Sequence, residues 1–123
     1  MGGSNWKQNE LNRRVAGDVA SRAREARCVE TCRAWNHRLA RGGDPDPSPS
    51  LGTALTAGFR WLQVVCQDCR TVGEIDLTLL DRHPEASISS LVPSLSCRRC
   101  PNSSRMPRLK ALSVAPLREQ ATR

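Results

Sequence analysis

The sequence predicts a small α+β fold, a basic N-terminal helix followed by an antiparallel strand module with a short helical insertion. Three observations carry this reading. Apolar residues recur at helical spacing through the first 41 positions. Short β-branched and aromatic runs follow a Pro-rich break. Two Cys-x-x-Cys pairs, Cys66/Cys69 and Cys97/Cys100, sit at the ends of such runs. Four thiolates in two such pairs are the donor set of a closed tetrahedral Zn²⁺ site, so the strand module is expected to be zinc-ribbon-like.

Composition supports a metal-dependent fold. A chain of 123 residues has room for one small domain plus tails, and with one Phe and no Tyr its core is thin. A domain with so little apolar mass gains most from a cross-link. The net charge is +7; the basic surplus lies in residues 1–43 and 101–123, while the cysteine-bearing stretch is close to neutral. Bound Zn²⁺ would leave about two negative charges on its four thiolates.

Met1-Gly-Gly-Ser-Asn-Trp-Lys7 contains no apolar signal core, and no run of about 18 apolar residues follows. A cytoplasmic, reducing location is therefore expected, where six cysteines favour metal over disulfides. The sequon Asn102-Ser-Ser104 then reads as a chance match.

Residues 8–41 read as helix: Leu11, Val15, Val19, Ala23 and Ala26, then Cys32, Trp35 and Leu39, recur at three- and four-residue steps. The stripe is narrow and Ala-rich, so burial stabilises it little, and Gly42-Gly43 is a stop signal. Asp44-Pro-Asp-Pro-Ser-Pro-Ser50 reads as an extended linker. Residues 51–57 form a helical turn closed by Gly58, and residues 59–65 a strand. Residues 71–77 are the return strand, with Gly73 easing the turn. A helical turn over 77–82 and a short helix begun by Pro84-Glu85 and ended by Pro93 form the insertion. Residues 108–114 make the last strand. The expected organisation is a basic helical arm (1–43), a linker (44–50), a zinc-ribbon-like domain (51–115) and a tail (116–123).

Twenty-seven residues, 70–96, separate the cysteine pairs, more than the usual 15–20 of a compact four-Cys site, and the insertion accounts for the excess. A closed shell leaves no open coordination position, so Cys66, Cys69, Cys97 and Cys100 are expected to hold a structural metal, with binding coupled to folding. Chance pairs, a redox dithiol and an iron–sulfur cluster are the competing readings of the same thiols. Cys28 and Cys32, with His37 nearby, share a helix face. Three ligands on one helix cannot close a tetrahedron, so they read as small apolar helix residues. His83 reads as a polar turn residue. Arg98, Arg99, Arg105, Arg108 and Lys110 are candidate phosphate contacts, set against the plain reading that they are solvated surface charges. No aromatics are interleaved with them to stack bases.

The runs Gly58-Phe-Arg-Trp-Leu-Gln-Val-Val-Cys-Gln-Asp-Cys69, Leu80-Asp-Arg-His-Pro84 and Ser94-Leu-Ser-Cys-Arg-Arg-Cys100 resemble a group of short, uncharacterised bacterial proteins with two Cys-x-x-Cys knuckles around a Leu-Asp-Arg-His-Pro segment. The resemblance covers about half of the chain and implies a zinc-ribbon-like module without implying an activity. Those proteins read Arg-Pro-Asn-Ala-Pro-Phe after the second knuckle. Here the stretch is Pro101-Asn-Ser-Ser-Arg-Met-Pro107, lacking the Phe.

No Ser/His/Asp set, paired buried carboxylates or phosphate-binding Gly loop is legible, which argues against an ordinary enzyme. The expected role is a non-enzymatic zinc-binding module that docks to a protein or nucleic acid. The rival from another class is a thiol-based redox or metal-handling protein.

Overall fold

The computed structural model describes residues 2–102 and 105–117, with side chains from residue 16 onward. The side chains of Leu11 and Val15, residues 103–104 of the sequon and residues 118–123 of the tail lie outside the described residues.

Helix α1 spans Gly2–Ala40. From residue 16 to 27 every side chain is exposed; among the described side chains of the helix, the packed ones lie in its last third. There Cys32 and Trp35 are buried and Leu39 packs beside them. The helix stops where glycine permits it: Gly42 has φ +76°, and Gly43 N–H donates to Arg38 O at 2.9 Å.

Residues 44–50 are extended, as alternating proline requires, yet they are bound along their length. Trp35 Nε1 donates to Pro45 O at 2.8 Å, the Arg38 guanidinium donates to Pro47 O, and Ile88 N donates to Pro49 O at 2.9 Å. The segment is a strap tying α1 to the insertion. Ser50 then caps α2, Leu51–Thr56, accepting from Thr53 N.

Three antiparallel strands follow: β1, Trp61–Val65; β2, Val72–Asp76; and β3, Arg108–Ser113. Their order is β2-β1-β3, with β1 in the centre. Leu62 lies opposite both Ile75 and Leu112, and this row faces the core with Val64 and Leu109. Leu109 and Leu112 are three apart, so a regular strand would point them to opposite faces. The register shifts between Gln63 and Val64, Gln63 pairing with Ala111 and Val64 with Leu109. Lys110 is the extra residue of this bulge, and it brings both leucines to one face.

The outer edge of β3 is closed by a side chain. Asn36 on α1 donates from Nδ2 to Leu112 O at 2.9 Å and accepts from Leu112 N at Oδ1, 2.7 Å. Its amide thus acts as one more peptide unit on the sheet edge.

The core unites Cys32, Trp35, Leu51, Ala54, Phe59, Leu62, Leu77, Ile88, Leu91 and Leu112. It therefore draws on residues from both sides of the 44–50 segment.

Two local expectations are corrected. Gly73 lies within β2 opposite Val64 and is not the turn residue; the turn is made by Arg70, at φ 62°. The second helical piece is a 3₁₀ helix, Ile88–Ser94, with Pro93 inside it. Pro84 and Glu85 form a turn instead, because Pro84 O and Ala86 O accept from Gly52 N and Leu51 N and hold that stretch against α2.

Asp76 ends β2 and starts the 3₁₀ turn Leu77–Leu79. Its carboxylate accepts from Arg60 Nε at 2.9 Å and Arg60 Nη2 at 2.6 Å, and from Thr78 N at 3.0 Å. The Arg60 fork, with help from Thr78, holds its pKa well below the usual aspartate range. A depressed folded-state pKa contributes stability that is complete above the ordinary aspartate value and is lost as pH falls below it. Asp76→Asn is accordingly expected to lower the urea midpoint at pH 7, with the gap to wild type narrowing below about pH 4. A gap independent of pH from 7 to 3 would refute this role. The cysteine cluster is common to both proteins, so its own acid response cancels in the difference.

Candidate metal centre

The first knuckle is built on the β1–β2 hairpin. Cys66 follows β1 directly, its N–H donates to Thr71 O at 3.0 Å, and its carbonyl accepts from Arg70 N at 2.9 Å. This closes a tight loop over residues 66–71 and sets Cys66 and Cys69 on one side of it. The reversal needs positive φ after the second cysteine, and Arg70 supplies it at 62°, a conformation that a side chain ordinarily disfavours.

The second knuckle has less scaffolding. Cys97 and Cys100 lie between the 3₁₀ helix and β3 in a stretch that forms no strand. Cys100 N donates to Cys97 O at 3.3 Å. Among the ties from this loop to the first knuckle, Gln67 Nε2 donates to Met106 O, and Arg105 lies 3.8 Å from Asp68.

The structure brings together all four predicted cysteines. The Sγ atoms of Cys66, Cys69, Cys97 and Cys100 lie within 4.8 Å of one another, with Cys69 and Cys97 at 3.7 Å. Sulfurs held about 2.3 Å from a central Zn²⁺ stand roughly 3.8 Å apart along the tetrahedron edges. The Cys69–Cys97 distance matches such an edge, and the set as a whole is compatible with a metal site. All four cysteines are free rather than joined at the disulfide length of about 2.05 Å. Cys66 is buried, Cys97 and Cys100 are half-buried, and Cys69 is exposed, so the cluster sits at the rim of the domain.

The four thiols are electrostatically unequal. Cys69 Sγ shares a hydrogen bond with Thr71 Oγ1 at 3.1 Å. Donation from the Thr71 hydroxyl and backbone stabilises the thiolate and lowers its pKa to about 6. Hydrogen bonding with Cys69, then desolvation and the neighbouring sulfurs, push Cys100 up to about 12. A cation among the four sulfurs would replace these shared protons with metal–thiolate bonds.

The remaining candidates fall elsewhere. Cys32 is fully buried in the core, and burial with nearby Cys28 raises its pKa to about 11. His83 is an exposed turn residue whose Nδ1 accepts from Glu85 N at 3.0 Å. The five predicted basic residues divide between two clefts: Arg98 and Arg99 line one beside Gly73, whereas Arg105, Arg108 and Lys110 line another beside α1. The two clefts share only Cys66.

Sequence reasoning passed over Thr71, Arg70 and Asn36. The position after Cys69 was the available signal for Arg70, since a knuckle reverses the chain there. Nothing local marked Asn36, whose partner is 76 residues away. Comparison with protein-family models, curated proteins and solved structures gives no match. No helix among the described residues is long and apolar enough to cross a membrane.

Proposed function

We propose that the chain is a zinc-ribbon-like binding module in which Cys66, Cys69, Cys97 and Cys100 hold one structural Zn²⁺. The observation that carries this is the mutual approach of four thiol sulfurs from two knuckles far apart in sequence. A fully thiolate tetrahedron has no open position for water or substrate, so its work is to fix the fold. The module is then a non-enzymatic scaffold that acts in the cytoplasm by docking to a protein or nucleic acid.

Native mass spectrometry with elemental analysis tests the metal. One zinc per chain is the expected result. Iron with inorganic sulfide would show the cluster reading, and a metal-free folded chain would sink both.

A second reading draws on Cys69, whose exposed, acid-shifted thiol is suited to exchange chemistry when no metal holds it. Under that reading alkylation of Cys69 is rapid after chelation and suppressed by zinc.

A further inference from the structure

The cleft between the end of α1, β3 and the first knuckle has a volume of about 720 Å³. Its cations are Arg70, Arg105, Arg108 and Lys110, faced by Asn36 and His37 on α1, and no acidic residue among the described ones lines it. Asp68, just outside, is the carboxylate that Arg105 approaches at 3.8 Å. Three separate devices bring these charges together. Lys110 is the bulged residue of β3, set beside Arg108 where the register shifts. Arg105 arrives with the loop of the second knuckle, and Arg70 with the turn of the first.

Arg70 is the telling residue. It occupies φ 62°, where glycine would be free of strain. A charged side chain kept in an unfavourable backbone conformation, pointing into a cleft of like charges, suggests a task for that charge.

We propose that this cleft is a phosphate-backbone site for double-stranded nucleic acid. It rests on the zinc-module reading for the fold that assembles it. The chemistry of the lining selects the partner class. Leu39, Ala40, Val65, Leu109 and Ala111 give the cleft an apolar component. Yet neither an aromatic residue nor any of the large exposed hydrophobics among the described residues (Val19, Leu55, Leu79, Met106, Val114) lines it, so it lacks the anchors that centre a protein interface. Phosphates need only cations and hydrogen-bond donors, and three of the four cations are guanidiniums, whose forked donors match phosphate oxygens. No aromatic among the described residues lines the cleft, so it lacks the stacking platform a single strand would use. The duplex is therefore read through its backbone, without regard to sequence.

The contact does not run on along the helix arm. Arg22, Ala26, Val29 and Arg33 continue the stripe of Asn36, His37 and Ala40 at three- and four-residue steps, but Glu25 and Glu30 flank them. That face is charge-balanced, so the cleft acts as a compact site of three to four phosphates.

Fluorescence anisotropy of zinc-loaded full-length protein with a labelled mixed-sequence DNA duplex tests the proposal. The logarithm of affinity should fall with the logarithm of salt at a slope of roughly −2.7 to −3.6, as three or four neutralised phosphates require. Arg108→Gln with Lys110→Gln should weaken binding about 10-fold or more and flatten the slope by about 2. Arg98→Gln with Arg99→Gln, in the other cleft, should leave both within about 2-fold. Arg70→Gly should raise thermal stability while weakening binding, a split that a purely structural arginine would not give.

Equal losses from the two double variants would overturn the site in favour of diffuse charge. So would an absence of binding at 50 mM salt, or tighter binding of polyglutamate than of DNA. Loss of zinc from the Arg108/Lys110 variant would also overturn it, showing that these cations serve to balance the thiolate centre. Zinc content, measured on the same samples, reports separately on the metal reading.

Discussion

Cys97→Ser is expected to abolish metal retention and to release the loop carrying the second knuckle. Apparent binding free energies for structural zinc in small peptides are about 10–16 kcal/mol at neutral pH, comparable to or larger than the whole stability of a typical domain, about 5–15 kcal/mol. Losing one of four thiolates removes a large part of that, and no other described ligand is placed to replace it: Cys28 and Cys32 lie outside the cluster. The damage should be lopsided. The first knuckle is braced by a two-strand ladder and by the exchange of hydrogen bonds among Cys66, Arg70 and Thr71. The described residues between 95 and 107 form no strand with the sheet and are linked to the first knuckle through side chains, among them the Gln67–Met106 and Arg105–Asp68 ties. Hydrogen exchange should therefore rise over 95–107 in the variant while amides of β1 and β2 stay protected. Cys32→Ala, by contrast, should retain a full metal complement at a modest cost in stability. Metal content at wild-type level in Cys97→Ser, or its loss in Cys32→Ala, would refute the assignment of ligands.

Much of this arrangement was readable locally, and the reason is specific to each part. The Cys-x-x-Cys pairs announce themselves because metal coordination needs a fixed residue type at fixed spacing. Helix α1 and its glycine stop, and the three strands, follow from periodicity and backbone chemistry within a few residues. The role of α1 was harder to see. Its stripe is Ala-rich throughout, yet among the described side chains the stretch from Cys32 to Leu39 is the one that joins the core, because that is where the sheet and the 44–50 strap meet it. Alternating prolines specify an extended chain but say nothing of what that chain touches; here Pro45 O, Pro47 O and Pro49 O are all hydrogen-bond acceptors for distant groups. The bulge at Lys110 was hidden for a related reason. The interval from Leu109 to Leu112 breaks strand alternation, and only the pairing with β1 shows that an extra residue restores it. Division of the basic residues between two clefts is likewise a product of tertiary structure, since Arg98 and Arg105 are close in sequence.

Trp35→Ala should be the most damaging single change away from the cysteines, lowering unfolding free energy by about 3–5 kcal/mol. Trp35 is 2% exposed in a core with one other buried aromatic, Phe59. Its removal leaves a large void, and it also strands Pro45 O, which accepts from the indole N–H at 2.8 Å. The consequences spread because the same helical segment carries the Asn36 clamp on β3. Once the anchor is lost, α1 has little to hold it: an isolated Ala-rich helix is marginal in water, and residues 16–27 contribute no buried side chain. Helical signal in far-UV circular dichroism should therefore fall with stability, together rather than in sequence. Trp35→Phe should recover most of the packing and lose about 1 kcal/mol for the missing donor. Truncation separates this from a general effect of the arm. Removing residues 1–26 should leave the unfolding midpoint within error of wild type, whereas removing residues 1–43 should match or exceed Trp35→Ala. Equal stability of the two truncated proteins would show that α1 is dispensable along its whole length, and that its contacts with Leu112 and the core do not stabilise the cysteine module.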